Sequence, residues 1–190
     1  MNVAIFGGTF DPIHNAHLTV AREAADRFAL DRVLFVTAST PPHKPADSTC
    51  SYEHRHRMVE LACAADARFV PSRLEEGPGK SYSIETIEKV RGTLRAGDRL
   101  FFVIGADAFA DIGTWHRAAD VLAGVEFIVV ARPGYGRPAP PGARVHWLET
   151  VALPISSSEI RQHLASGAAS GDLPAAVLAY IAAHGLYGQE

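Results

Sequence analysis

The sequence is poor in the residue types that would announce a special environment. It contains only two cysteines, Cys50 and Cys63, in 190 residues, and neither belongs to a CxxC pair. A disulfide framework is thereby excluded, and a reducing compartment, the cytoplasm, is expected. No run approaches the roughly 18 to 20 consecutive apolar residues that a membrane-spanning helix needs. The opening MNVAIFGGTFDPIHNAH has no basic stretch ahead of a long apolar one, so neither a signal peptide nor a membrane partner is expected. Charge of either sign is not in excess: 18 Lys and Arg stand against 21 Asp and Glu, a net charge of -3. That balance excludes a strongly charged disordered chain and gives no reason to expect a nucleic-acid partner, while leaving small anionic ligands open. There is no internal repeat. What is present is 47% apolar and 21% charged residues, enough for one sizeable core and too short a chain for two ordinary domains. A single domain over residues 1–190 is the expectation.

Along the chain, short β-branched and aromatic runs alternate with segments of helical periodicity. Val3 to Phe6 is a strand closed by Gly7 and Gly8; Ala16 to Phe28 has helical spacing; Arg32 to Thr37 is a second strand. This is a βαβ crossover, whose strands are parallel and covered on both faces. The signal repeats as helix Glu53 to Ala64 with strand Arg68 to Val70, helix Ser83 to Leu94 with strand Leu100 to Ile104, and helix Trp115 to Leu122 with strand Phe127 to Val130. Val145 to Leu148 adds a last strand, Ser156 to Ser158 precede a short helix, and Pro174 at the first helical position opens an apolar helix to about Ala183, ended by Gly185 or Gly188. The pattern predicts an α/β fold: a Rossmann-like, doubly wound, mostly parallel sheet with helices on both faces and a small C-terminal helical region.

The chemistry gathers where such a sheet places ligands. Gly7 to His17 spans the end of the first strand and the start of the first helix, where backbone N–H groups favour anions. The glycine spacing is neither GxGxxG nor a Walker A pattern, which disfavours hydride transfer and P-loop hydrolysis. His14 and His17, three residues apart, share a helix face and can direct two donors at one phosphate; a zinc site and a purely structural helix start are the rival readings. Asp11 is equally readable as a turn residue bonding its own backbone. Lys44, in Pro41-Pro42-His43-Lys44-Pro45 after the second strand, can reach an anion on the same edge or stand solvated. Glu53-His54-Arg55-His56-Arg57 is mainly a charged first turn, with Arg57 available to brace a carboxylate. Gly77-Pro78-Gly79-Lys80-Ser81 fails as a P-loop, since its first glycine would fall at Leu74. Ser81 to Glu85 is a helix entrance able to receive a carboxylate, or simply a cap. Asp107, after the strand ending at Gly105, fits a ribose or Mg²⁺-related role; Trp115 fits stacking or partial core burial. Ser156-Ser157-Ser158-Glu159 with Arg161 is a second phosphate clamp or a capping box.

Taken in order, GGTFDPIHNAH, PPHK, SYSIET, GAD with TWH, and ISSSEIR resemble the bacterial nicotinate mononucleotide adenylyltransferases, and YIAAHGLY resembles that family's last helix. The resemblance runs from Val3 to Tyr187, and its first and last clamps also mark the wider HxGH nucleotidyltransferase superfamily. It implies transfer of AMP from ATP to nicotinate mononucleotide in NAD biosynthesis, with Mg²⁺ accompanying ATP and no direct protein ligation of metal. It assigns His14, His17, Lys44 and Arg161 to catalysis. Gly8, Thr9, Phe10, His14, His17, Gly105, Asp107, Ser157 and Arg161 go to ATP, and Asp11, Lys44, Tyr82, Ser83 and Trp115 to the acceptor. The partners implied are these two small molecules, in a monomer or a homodimer. The sequence departs from the family pattern at Ala16 for the usual glycine of HxGH, at Ser83 and Glu85 for Thr and Asp, and at Ala38 for an Asn, where Ser39, Thr40 or backbone groups would substitute. The alternatives are transfer to nicotinamide mononucleotide, to phosphopantetheine or, as cytidylyl, to an alcohol phosphate, and a nucleotide-binding sensor without catalysis.

Overall fold

A computed structural model describes residues 1–39, 50–134, 138–150, 156–168 and 171–188. Six parallel strands form one sheet: β1 (Asn2–Gly8), β2 (Arg32–Thr37), β3 (Phe69–Ser72), β4 (Arg99–Gly105), β5 (Glu126–Ala131) and β6 (Arg144–Glu149), in the order β3-β2-β1-β4-β5-β6. All five strand pairs are parallel. Both faces of the sheet are apolar. Ala4, Phe101, Val103 and Ile128 project to one side, while Val3, Ile5, Phe102, Ile104, Phe127 and Val129 project to the other, so both sides must be covered.

Helices α1 (Asn15–Arg27), α2 (Tyr52–Cys63), α6 (Ser157–Ala165) and α7 (Ala175–His184) cover the first face through Leu18, Met58, Ile160 and Val177. Helices α3 (Ser83–Arg91), α4 (Ala106–Ala110) and α5 (Ala118–Gly124) cover the second through Ile87, Phe109 and Val121. This is the doubly wound, Rossmann-like arrangement. The chain winds outward from β1 to β3 and then returns to β4 beside β1. That reversal opens a crevice between the ends of β1 and β4, the place where open α/β sheets bind ligands.

Several boundaries differ from the sequence expectation. The helix assigned from Trp115 begins at Ala118: Ile112–Thr114 forms a single 3-10 turn, Trp115 follows it in extended conformation, and Arg117 takes a left-handed φ of 52° that prevents an earlier start. The residues after Gly105 form a short helix, which the sequence pattern leaves unassigned. Pro174 precedes α7 instead of occupying its first turn; its extended ψ of 139° leaves its carbonyl to accept the first N–H groups, from Val177 and Leu178. Among the described residues no helix is long and apolar enough to cross a membrane.

Candidate active site

Parallel strands put every following loop on one edge, and most of the motifs singled out in the sequence that are described follow a strand end. The Gly7–His17 segment leaves β1, Ala38 and Ser39 leave β2, the Ser81–Ser83 segment lies between β3 and α3, Gly105 to Trp115 follow β4, and Ser156 to Arg161 follow β6. Lys44, His43, Thr40 and Ile155 lie outside the described residues.

The β1 loop is built around a ring. Phe10 takes a left-handed φ of 50° and buries its side chain against Phe6, Phe35 and His17, with centroids 5.9, 5.8 and 5.2 Å away. A Cβ at Gly8 would stand 2.9 Å from that ring, so glycine here makes room for Phe10 as well as exposing backbone. The side chain of Phe10 is thus a core element, and only its backbone is left for the sheet edge. The Gly8 and Thr9 carbonyls are both engaged, by the Ala38 N–H at 2.9 Å and by Arg55 Nη1 at 2.7 Å.

His14 and His17 stack with centroids 3.8 Å apart and planes inclined by 33°. The His14 backbone N–H donates to His17 Nδ1 at 3.2 Å. An accepting Nδ1 places the proton of neutral His17 on Nε2. His14 is buried, and its Nδ1 has no hydrogen-bond partner among the described residues. Burial holds the His14 imidazole down to about 4, against an opposing pull from Asp172, so it is neutral at pH 7. His14 is therefore a neutral hydrogen-bonding group at pH 7, and a fixed pair of cations is not what this motif provides.

The burial of His14 makes stability depend on pH. Above pH 6.5 the imidazole is neutral whether the chain is folded or unfolded. As pH falls from 6.5 toward 4 the unfolded chain takes up a proton that the fold refuses. Stability is expected to fall by about 3 kcal/mol over that window from this group alone. Urea unfolding of the protein and of His14→Gln at pH 7 and pH 4 checks this: the difference between the two should shift by about that amount.

The second clamp closes on the first motif. Ser156 caps α6 by accepting the Glu159 N–H at 3.2 Å, while Glu159 Oε2 accepts from the Ser156 N–H at 2.7 Å. The capping-box reading therefore holds for Ser156 and Glu159, which frees the next residues. Ser157 Oγ donates to the Pro12 carbonyl at 3.1 Å, and Arg161 Nη1 donates to the Asp11 carbonyl at 2.7 Å. Residues 150 positions apart thus share one turn. Asp11, expected at the acceptor, is 1% exposed. Its Oδ1 accepts from the Tyr187 hydroxyl at 2.6 Å and the Cys50 N–H at 3.3 Å, and its Oδ2 lies 3.6 Å from Arg161 Nη1. This carboxylate faces protein donors, because burial requires partners for its charge.

On the other side of the crevice, Tyr82 precedes α3 and Ser83 begins it, both half-buried. The Tyr82 ring lies 4.5 Å from the ring of His116, so the segment after β3 meets the segment after β4 next to Trp115. Trp115 is half-buried with its edge against Phe102 at 6.1 Å; part of it is core and part remains at the surface. Gly105 and Asp107 are exposed at the start of α4. Ser39, beside the departure at Ala38, donates through Oγ to the Gly77 carbonyl at 2.7 Å and through N–H to Ser81 Oγ at 3.0 Å, tying the β2 loop to the α3 entrance. Among the described residues no three His, Cys, Asp or Glu side chains gather as a metal site.

One residue of this edge was assigned elsewhere by sequence reasoning. Arg57 forms a surface pair with Glu60 at 2.7 Å. Arg55 is the buried one, and its guanidinium donates to the carbonyls of Cys50, Thr9, Ala38 and Ser39 at 3.0, 2.7, 2.8 and 3.2 Å. It pins the β1 and β2 loops together. The signal was available: Arg55, Met58, Val59 and Ala62 fall on one helical stripe, and a charged residue on a buried stripe must be paired.

The known proteins that this chain resembles point the same way. The cytidylyltransferase-like family profile matches residues 5–163. A probable nicotinate-nucleotide adenylyltransferase of Solibacter usitatus is 58% identical over 187 residues, covering 98% of this chain and 100% of the relative. One from Thermus thermophilus is 44% identical over 189 residues, with 98% and 100% covered. A solved Plasmodium falciparum nicotinic acid mononucleotide adenylyltransferase complexed with NaAD superposes with a TM-score of 0.80 at 21% identity, over 98% of this chain and 97% of that one, a likeness of fold. With a single sheet carrying these motifs on one edge and relatives matched along their whole length, the chain belongs to the nicotinate and nicotinamide mononucleotide adenylyltransferase family of cytidylyltransferase-like proteins.

Proposed function

We propose that this chain, acting as one domain, transfers AMP from ATP to nicotinate mononucleotide, giving nicotinate adenine dinucleotide and pyrophosphate. The observation that carries the reading is the convergence of His14, His17, Ser157 and Arg161 about the Asp11-Pro12 turn at the strand-order reversal, where a triphosphate meets helix starts and donors. The full-length identity with nicotinate-nucleotide adenylyltransferases supports the choice of acceptor.

A phosphate oxygen of the mononucleotide attacks the α-phosphorus of ATP. The new P–O bond forms as the bond to the bridging oxygen breaks, and that oxygen leaves with its electron pair on pyrophosphate. The attacking phosphate is mostly dianionic near neutral pH, so no general base is needed. Positioning and charge stabilisation then supply the rate. His14, as a neutral imidazole, and His17 donate hydrogen bonds, and Arg161 supplies fixed positive charge. Lys44 adds a cation from the β2 loop in this reading. Gly105 and Asp107 border the ATP ribose. Tyr82, Ser83 and Trp115 form the acceptor side, the indole stacking on the pyridine ring and the N–H groups of the α3 start receiving its carboxylate. Bound with ATP, Mg²⁺ would supply charge neutralisation at the leaving pyrophosphate, held by the phosphates rather than by a cluster of described protein ligands. The residues fit that route: the one carboxylate of the β1 loop is buried with its Oδ1 held by protein donors.

The test is an assay with ATP and Mg²⁺ and either nicotinate or nicotinamide mononucleotide at matched concentrations, reading dinucleotide and pyrophosphate together. Faster transfer to the nicotinate acceptor is expected. Preference for nicotinamide would reassign the acceptor, and ATP binding without pyrophosphate release from either would make the protein a sensor.

A further inference from the structure

The tail of the chain after α7 touches the centre of this site. Gly185 ends α7 with a left-handed φ of 60°, and two residues later Tyr187 takes a φ of 61°, which is costly for a residue with a Cβ. The resulting turn brings the Tyr187 hydroxyl to Asp11 Oδ1 at 2.6 Å, across 176 residues of sequence. Docking of α7 does not depend on that bond: Val177 and Ile181 are buried in the core, and Tyr180 is bonded to His54 of α2 at 2.8 Å. A phenylalanine would fill the same space, so replacing Tyr187 with it removes the bond to Asp11 and leaves the packing.

We propose that Tyr187 is a positioning residue for the phosphate grip, fixing the Asp11 carboxylate and, through it, the guanidinium of Arg161. The inference rests on the reading that this edge holds ATP. Two donors, the Tyr187 hydroxyl and the Cys50 N–H, hold Asp11 Oδ1. With one oxygen held, the other is confined to the side facing Arg161. There Oδ2 has no hydrogen-bond partner among the described residues and lies 3.6 Å from Arg161 Nη1, while the same Nη1 is bonded to the Asp11 carbonyl at 2.7 Å. Asp11 thus attracts Arg161 by charge and by main chain without presenting its own negative charge to a phosphate. Burial and the neighbouring Asp11 push the Tyr187 phenol far above its ordinary value, so it remains a donor at every working pH.

The experiment compares four proteins: wild type, Tyr187→Phe, Arg161→Gln and the double variant, with Val177→Ala as a control that loosens α7 without touching Asp11. Tyr187→Phe is expected to lower kcat/KM for ATP about tenfold while KM for the mononucleotide stays within about twofold, and to cost less than about twofold in the Arg161→Gln background. Val177→Ala is expected to lower Tm and leave kcat/KM for ATP near wild type. Unchanged kcat/KM in Tyr187→Phe, an equal loss in both backgrounds, or an equal loss in Val177→Ala would overturn the proposal. ATP affinity by calorimetry on the same proteins reads the same coupling without an acceptor. A wild type that binds ATP but releases no pyrophosphate would count against the transfer reading and not against the coupling.

Discussion

His14→Ala is expected to lower kcat about 10²- to 10³-fold while leaving a folded protein, a loss of the size seen when one preorganised donor to a developing oxyanion is removed. The argument is one of geometry and burial. His14 is the residue from which α1 begins, held between the backbone of Asp172, which accepts the N–H of the next residue at 2.8 Å, and the ring of His17. Its imidazole is buried with one nitrogen unpartnered among the described residues, an arrangement that costs stability unless the site acquires a partner when loaded. Removing the ring relieves that cost and opens a small void, so the two effects on folding oppose each other. Circular dichroism should show a native spectrum, and steady-state turnover at saturating ATP should show the loss. Near-normal turnover by a folded variant would remove His14 from the mechanism.

Arg55→Met is expected to destabilise the protein by about 3–5 kcal/mol, the range for breaking a buried charged network by deleting one member. Four main-chain carbonyls lose their donor at once, and Asp11 loses a nearby positive charge. Methionine matches the stem of arginine and isolates the loss of the guanidinium. Arg55→Lys is expected to recover less than about half, because a single ammonium cannot span carbonyls from three chain segments as a planar fork does. Equilibrium urea unfolding measures both. A midpoint for Arg55→Met within the error of wild type would show that the β1 and β2 loops are held by other means.

The fold was largely legible because its periodicities are clean: apolar runs of strand length separated by amphipathic segments leave little but a parallel sheet covered on both faces. The helix misplaced at Trp115 shows where local pattern stops being informative. The segment has helical composition, but Arg117 adopts a left-handed conformation that no propensity favours, with its guanidinium paired to Glu88 and Asp120. In the site, the phosphate-side motifs were legible as residue types. Their linkage was not, since Arg161 to Asp11 and Tyr187 to Asp11 are contacts between opposite ends of the chain that no spacing encodes. Asp11 illustrates the difference: its neighbours in sequence suggest a turn or substrate residue, and only burial shows a carboxylate turned inward.

The reach of Tyr187 back to Asp11 also orders events in time. Protein synthesis proceeds from the amino end, so β1, α1 and β2 can pair long before the residue that completes their loop exists. The Asn15 N–H likewise waits for the Asp172 carbonyl. A nascent chain can therefore own most of its sheet and still lack the closed Asp11 turn. The closed Asp11 turn therefore forms only after the segment around Tyr187 has been made and has docked.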